Sequence, residues 1–428
     1  MAMRLIRLRL YRLSGFRLSS IWVLPVLSMA LAVVLTPILR AIDQATGWKV
    51  LGFGPNGSRA LLAMLAASML SFLVFLFSAL LIAVQIASAQ LTPRVIATTF
   101  LQDRPVKATI GLIVLTFTLS IGVLGRSEQA VLQLSTVVCI LLSLVTIAMF
   151  LYMIDYSLKA LRPVSVIGRV ATSGRKVIHD VYPDALDAKR DVRRSVLTTR
   201  PPAPDRTLYH AETSAVLRAA DFRWLSDTAQ AVQGLIELVP RVGTFIAVDE
   251  PLFHLYGGAV DLDPGSLRSA LAFGQERTLE QDPMFAFRIL VDIAAKALSP
   301  AINDPTTAVL AIDQIHRLLR VVGKRHLDAH AMLDESGRFG VAFRTPDWED
   351  YVTLSVSEIR QYGATSVQVV RRLRAMLENL RTSLPPDRWP PLELQLQVLD
   401  RAVARAFLDP EDQAIAGVAD FEGVGQVD

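Results

Sequence analysis

Apolar positions run together in the first third of the chain and become periodic afterwards. Four runs without Asp, Glu, Lys or Arg occupy residues 21–39, 60–93, 108–124 and 130–154. A hydrocarbon core of about 30 Å is crossed by about 20 helical residues. The pattern therefore predicts four transmembrane helices, at about 21–39, 60–91, 108–124 and 130–154. The third run is short and needs its flanks. The second is too long for one upright crossing, so it should tilt or continue out of the bilayer as helix. Past residue 159 the runs shorten. Glycine-punctuated segments at 234–240, 244–248 and 252–256 read as strands. Helical spacing returns at 284–298, 305–321, within 351–383 (one or two helices) and at 392–407. Pro385, Pro386, Pro390 and Pro391 break the pattern between the last two. The predicted fold class is a membrane α-helical region of four transmembrane helices, followed by a mainly α, α+β cytoplasmic domain with a small β segment. Its expected parts are residues 1–158 in the membrane, 159–265 as linker and small β-rich segment, and 266–428 as a helical domain. Residues 183–206 are rich in Pro, Arg and Asp, and PPAPD at 201–205 reads as a linker or a strand-bounding turn.

Charge orients this picture. Arg4, Arg7, Arg9, Arg12 and Arg17 precede the first span; Arg94, Arg104 and Lys107 lie between the second and third; Lys159, Arg162, Arg169, Arg175 and Lys176 follow the fourth. The opposite side offers Arg40, Lys49, Arg59 and Arg126. The positive-inside rule puts both termini in the cytoplasm. The first run lacks a small-residue cleavage site, so it is expected to stay as a span. The chain is 52% hydrophobic with a mean hydropathy of +0.40, above that of an average soluble enzyme. A net charge of +4 gives no reason to expect a nucleic-acid partner. Cys139 is the single cysteine, which excludes an intrachain disulfide and thiol pairs for zinc or redox chemistry.

Candidate chemistry falls in two places. In the second span Gln85, Ser88 and Thr92 fall at i, i+3 and i+7, on one helix face, with Ser71 and Ser78 earlier and Thr116, Thr118 and Ser120 on the third span. Such residues serve interhelical hydrogen bonding or line a polar path. Proton relays need intramembrane carboxylates or histidines, and the four runs hold none. In the polar half, residues 276–304 gather Glu276, Arg277, Glu280, Asp282, Arg288, Asp292, Asn303 and Asp304, with Thr278, Ser299, Thr306 and Thr307 nearby. The set fits an Arg–carboxylate network that fixes packing, or a ligand or hard-cation site. Arg288, Asp292 and Lys296 form an i, i+4 ladder. Asp304 reads as an N-cap and Pro305 as a first helical residue, which leaves Asn303 unexplained.

Other motifs carry less. LGFGPNG places Gly52, Gly54 and Gly57 in a G-x-G-x-x-G pattern, but in a loop that runs into a span, where no βαβ unit can form. His326 and His330 have i, i+4 spacing without a third ligand fixed by sequence. The 234–258 segment resembles lipoyl-type modules in its strand pattern, yet holds no lysine for a swinging arm. No Ser–His–acid set and no phosphate-binding loop occurs, so no catalytic residue, metal ligand or cofactor is assigned.

The segment GQERTLEQDPMFAFRILVDIAAKALSPAINDPTTAV (274–309), with QIASAQLTPRVIATTFLQDRP (85–105) and RVGTFIAVDEPLF (241–253), resembles the uncharacterised bacterial predicted-membrane-protein family catalogued as domain of unknown function 2254. The resemblance runs from about residue 21 to 407. It implies four N-terminal spans and a cytoplasmic C-terminal region, and supplies no activity, ligand or residue role. The functional expectation is a multi-pass protein of the bacterial inner membrane, a homo-oligomeric ion or small-solute channel with a cytoplasmic regulatory domain. The alternative is a non-conducting membrane-anchored sensor or scaffold that binds a ligand or protein partner. Expected partners are the lipid bilayer, further copies of the chain, and an ion, small ligand or cytoplasmic protein.

Overall fold

The computed structural model describes residues 22–47, 54–90, 103–125, 132–186, 194–195, 203–327 and 331–420. The described chain divides into two compact units, one up to Val166 and the other from Ile167 onward.

The N-terminal unit consists of α1 (Val23–Thr46), α2 (Pro55–Gln90), α3 (Arg104–Leu124) and α4 (Gln133–Ala160), all long and apolar enough to cross a bilayer. Each begins or ends away from its predicted edge for a physical reason. α1 runs through Pro37 to Thr46, because a lone proline costs a span one hydrogen bond that neighbours can re-satisfy. α2 starts at Pro55, the residue type best suited to the first turn. Gly57 of the glycine pattern is thus helical, and Gly54 precedes the helix. α3 recruits Arg104–Lys107 as its missing flank.

α3 is the central helix: half of its apolar window is buried, against 17% for α1 and α2, and it packs on the other three. Small residues set the α1–α3 approach. A Cβ on Gly111 would lie 3.1 Å from Leu24 and Ser28, and one on Gly122 would lie 2.7 Å from the Thr36 hydroxyl. On the other side Thr116 and Thr146 join α3 to α4 through hydroxyls 3.0 Å apart. Asp43, buried near the end of α1, accepts from Leu134 N (2.8 Å), Ser135 N (2.9 Å) and the Ser135 hydroxyl (2.5 Å). α4 has no side-chain cap from its own N-cap residue, Leu132. Asp43 supplies the acceptor that these orphan N–H groups need.

The C-terminal unit begins within α5 (Pro163–Val181), whose Gly174 lets it approach Ala286 and Leu318 closely. Strands follow: β1 (Arg194–Ser195), β2 (Arg206–Tyr209), β3 (Ala215–Ala220), β4 (Gly234–Leu238), β5 (Phe245–Ile246), β6 (Pro251–Gly257), β7 (Leu271–Gly274), β8 (Ala331–Leu333) and β9 (Gly340–Phe343), with α6 (Phe222–Ala231) after β3 and α7 (Pro264–Ser269) before β7. Six strands pair in the order β1-β8-β9-β4-β6-β2, and three in the order β5-β3-β7. Only β4 with β9 is parallel, in the register Ile236↔Val341; β4 pairs antiparallel with β6 as Ile236↔Leu255. All five residues of β4 are buried, as expected of a strand covered on both faces.

Two of the three anticipated strands thus pair directly, while 244–248 contributes only two residues, to the other sheet. With β5 in a different sheet from β4 and β6, the lipoyl-type strand pattern does not describe this segment. The sheet also draws on residues 331–343, beyond the stretch read as β-rich, because β8 and β9 are too short to show a period of two.

The helical part contains α8 (Pro283–Ala297), α9 (Pro305–Val322), α10 (Trp348–Gly363), α11 (Val367–Ser383), α12 (Trp389–Ala406) and α13 (Pro410–Ala416). α8 packs on both α9 and α10, and most of its residues are buried. Residues 351–383 resolve into two helices, and Pro390 and Pro391 sit in the first turn of α12. A recurrent signal starts these helices. Asp263, Asp282, Asp304 and Asp409 each cap a helix whose first residue is proline.

Candidate functional site

Asp282 sits where three segments meet. Its carboxylate accepts from Phe285 N at 3.1 Å, capping α8, and from Arg277 Nε at 2.8 Å. Arg277 lies over the Phe285 ring, 5.1 Å from its centroid. Gly243, with φ +90°, presses against the same carboxylate: a Cβ there would lie 2.1 Å from Oδ2. Glycine is required both for that conformation and for that approach. Neighbouring Gln281 accepts from Ala220 N (3.0 Å) and donates to Ala220 O (3.2 Å), tying the same loop to the end of β3. The stretches 241–253 and 274–309, far apart in sequence, therefore come together at one carboxylate. Burial pushes the Asp282 carboxyl up, opposed by Arg277 and the backbone donors.

Beside it Tyr182 and Tyr351 share a buried hydroxyl contact of 3.2 Å. Burial raises both phenols, Tyr182 to about 12, so both stay neutral. Arg241 pairs with Asp350 at 2.8 Å.

Asp282, Tyr182 and Arg241 help to bound a cavity of about 920 Å³, within the range of small-molecule sites. Tyr182, Arg241, Val242, Asp282 and Pro283 line one side. Phe222, Ser226 and Gln230 of α6, with Met332, Leu333 and Phe343 of the sheet, line the other. The Ser226 hydroxyl donates to Met332 O (2.9 Å) and accepts from Gln230 (3.1 Å), fixing that wall. The rim carries Asp180, Asp227, Glu280 and Glu335 against Arg223 and Arg344. Asp221 and Asp334 also face the cavity but are engaged: Asp221 caps α6, and Asp334 accepts from Arg338 N and Phe339 N. Partial burial raises the Glu280 carboxyl.

The other residues anticipated from 276–304 separate into two further places. Arg288 on α8 binds Asp292 and reaches Glu358 on α10 through Nη1 and Nη2 (2.5 and 2.6 Å). The bidentate pair keeps the guanidinium charged and lowers the Glu358 carboxyl. Asp304 caps α9, accepting from Thr307 N (3.0 Å) and the Thr307 hydroxyl (2.5 Å). Asn303 adopts φ +49°, a left-handed conformation that Asn tolerates, while its N–H reaches Ser299 O (2.9 Å). That role accounts for the residue left over. α8, 15 residues long, holds Asp282 and Asp304 apart at opposite ends, roughly 22 Å at 1.5 Å per residue. Glu276 is exposed and does not line the cavity.

His326 lies beyond the turn that follows α9, so it does not extend that helix; His330 is outside the described residues. Gln85 is exposed on α2. Ser88 belongs to the same helix, but its side chain, like Thr92 altogether, lies outside the described residues.

Sequence reasoning missed the cavity's far wall, Tyr182, Tyr351, Gly243 and Glu358. The glycine in RVGTF was the one readable signal, since only a demanding backbone position calls for glycine between such residues.

The four apolar helices, with the sheet-and-helix unit after them, define a multi-pass membrane protein. The chain belongs to the family described as predicted membrane protein (DUF2254), whose profile matches residues 18–379. Uncharacterized proteins of Mycobacterium bovis and Mycobacterium tuberculosis are each 27% identical to it over 416 residues, covering 92% of this chain and 78% of the relative. No solved structure matches the chain.

Proposed function

We propose that the chain is a bacterial inner-membrane protein with both termini in the cytoplasm, whose C-terminal unit binds a small organic cation. In this reading the four spans serve as the anchor. The cavity at Asp282 carries the proposal: it has the size of a ligand site, walls fixed by hydrogen bonds, and an apolar lining of Phe222, Val242, Met332 and Phe343. Four rim carboxylates outnumber two rim guanidiniums, which favours a positively charged guest. The basic residues after the second and fourth spans support the orientation. The hydroxyls of the spans favour anchoring. Those of Ser71, Ser78, Thr109 and Ser143 each donate to the carbonyl four residues back, leaving them no donor for a solute. The test is a melt of the full chain in micelles with a panel of small amines. An amine that raises the wild-type melting temperature should lose its effect in the Asp227→Lys/Glu335→Lys variant. No response to any amine, or a response retained by the variant, would overturn the proposal.

A second reading rests on Gln85, the polar side chain exposed at the end of α2's apolar window. In a homo-oligomer this face would line a path for an ion or small solute. Planar-bilayer recording separates the two: conductance abolished by Gln85→Leu supports a channel, and silence across common ions counts against it.

A further inference from the structure

The apolar core around β4 and β6 is bared where it meets the cavity at Asp282. Phe222, Val242, Met332 and Phe343 each pack against that core, remain half-buried, and line the cavity. Two of the four are aromatic and in contact: the rings of Phe222 and Phe343 have centroids 4.3 Å apart and planes inclined by 38°. Phe222 is the first residue of α6 and Phe343 the last of β9, so regular elements hold both rings in place. The polar groups of the same wall are spent on each other. The Ser226 hydroxyl serves Met332 O and Gln230, as described above. Charge lies further out: Asp227 on α6 and Glu335 in the turn after β8 are exposed and line the cavity.

This division of the lining selects the body of a guest as well as its charge. An ammonium at the rim keeps water and gains carboxylates, whereas one pressed against Val242 and Met332 would lose its hydration without a partner. A polyamine laid along the wall would place a second charge there. A hydroxylated body would be stripped of water without gaining hydrogen bonds. A flat ring gains twice, by leaving water and by packing offset or edge-on against the two phenyl rings.

We propose that the guest of the cavity is an aromatic monoamine, with its ring packed on Phe222 and Phe343 and its ammonium at the rim with Asp227 and Glu335. This specificity presupposes that the cavity binds a cation.

The full chain in uncharged maltoside micelles is melted at pH 7 and constant ionic strength against rising phenethylamine, cyclohexylethylamine or spermidine. The two ethylamines match in length and charge and differ in the aromaticity of the ring. Phenethylamine should reach a given rise in melting temperature at about one-fifth the concentration of cyclohexylethylamine, and spermidine should be weaker than either. In Phe222→Leu/Phe343→Leu, which keeps an apolar wall without π faces, the two ethylamines should act at equal concentration. Should that variant not fold, Phe343→Leu alone is read in the same way, as a narrowed difference. If no amine shifts the wild type, cation binding falls and the aromatic specificity with it. If amines bind but the two ethylamines act alike on wild type, or spermidine matches phenethylamine, cation binding stands and the aromatic specificity is overturned. The specificity is equally overturned if the preference for phenethylamine survives in full in the leucine variant.

Discussion

The two units of the chain handle polar groups in opposite ways. In the N-terminal unit, most hydroxyls bond a carbonyl of their own helix, and a few polar side chains reach another span. Thr36, Thr116 and Thr146 donate to carbonyls one turn back or to each other, and Asp43 caps α4. In the C-terminal unit, polar side chains join segments distant in sequence. Arg288 reaches Glu358, Tyr182 meets Tyr351, and Gly243 makes room for Asp282. In lipid no water can satisfy a stray donor, so most hydroxyls turn back on their own helix. Beside water, longer-range networks can form and leave a walled cavity between them.

The largest expected effect breaks the long-range side of this comparison. Gly243→Ala combines a left-handed backbone with a Cβ 2.1 Å from Asp282 Oδ2, and should destabilise the C-terminal unit by about 3 kcal/mol. Chemical denaturation of the full chain in micelles measures it. The corresponding break in the membrane unit is Asp43→Ala, which strands two N–H groups at the start of α4 and should cost about 2 kcal/mol. Asp43→Asn, which keeps an acceptor, should lose less. Next comes Asp304→Ala, which removes one cap and should cost about 1 kcal/mol; a melting temperature unchanged from wild type would refute the capping role.

A pH effect sharpens the contrast without a mutation of the walls. His316 accepts at Nδ1 from Arg372 (3.2 Å), so its Nε2–H donates to Asn379 Oδ1 (3.0 Å), and the ring is neutral. Burial, reinforced by Arg372, lowers its pKa to about 4. The folded value lies below the unfolded one of about 6.5, so this stability is present above pH 6.5 and is lost as pH falls towards 4. Melting temperatures should decline across that window, and His316→Gln should flatten the decline. The smallest effect is Gln85→Leu. An exposed helix position in the apolar unit should move stability by less than about 0.5 kcal/mol.

What could be read from sequence follows the same division. The spans were legible because charge-free runs of bilayer length leave few alternatives. Their ends were less so: α1 passes Pro37 and brings Asp43 under cover, which no local pattern announces. Asp304-Pro305 was readable because a cap is a contact across three residues. Glu358, by contrast, lies 70 residues from Arg288 in sequence, and spacing does not encode such a pair. β2, β3 and α6 went unread because 206–231 contains only short elements next to a linker-like stretch. The anticipated 276–304 site failed as a single place because α8 is a rod that separates its two capping aspartates.

The central claim is that the cavity at Asp282 holds a small ligand. Native mass spectrometry of the full chain, released from micelles, tests it most directly. The account predicts that wild type carries a bound amine of below about 500 Da, the size such a cavity admits, and that Asp227→Lys/Glu335→Lys does not. Equal bound mass on both proteins, or none on wild type even with the amine panel added, would contradict it.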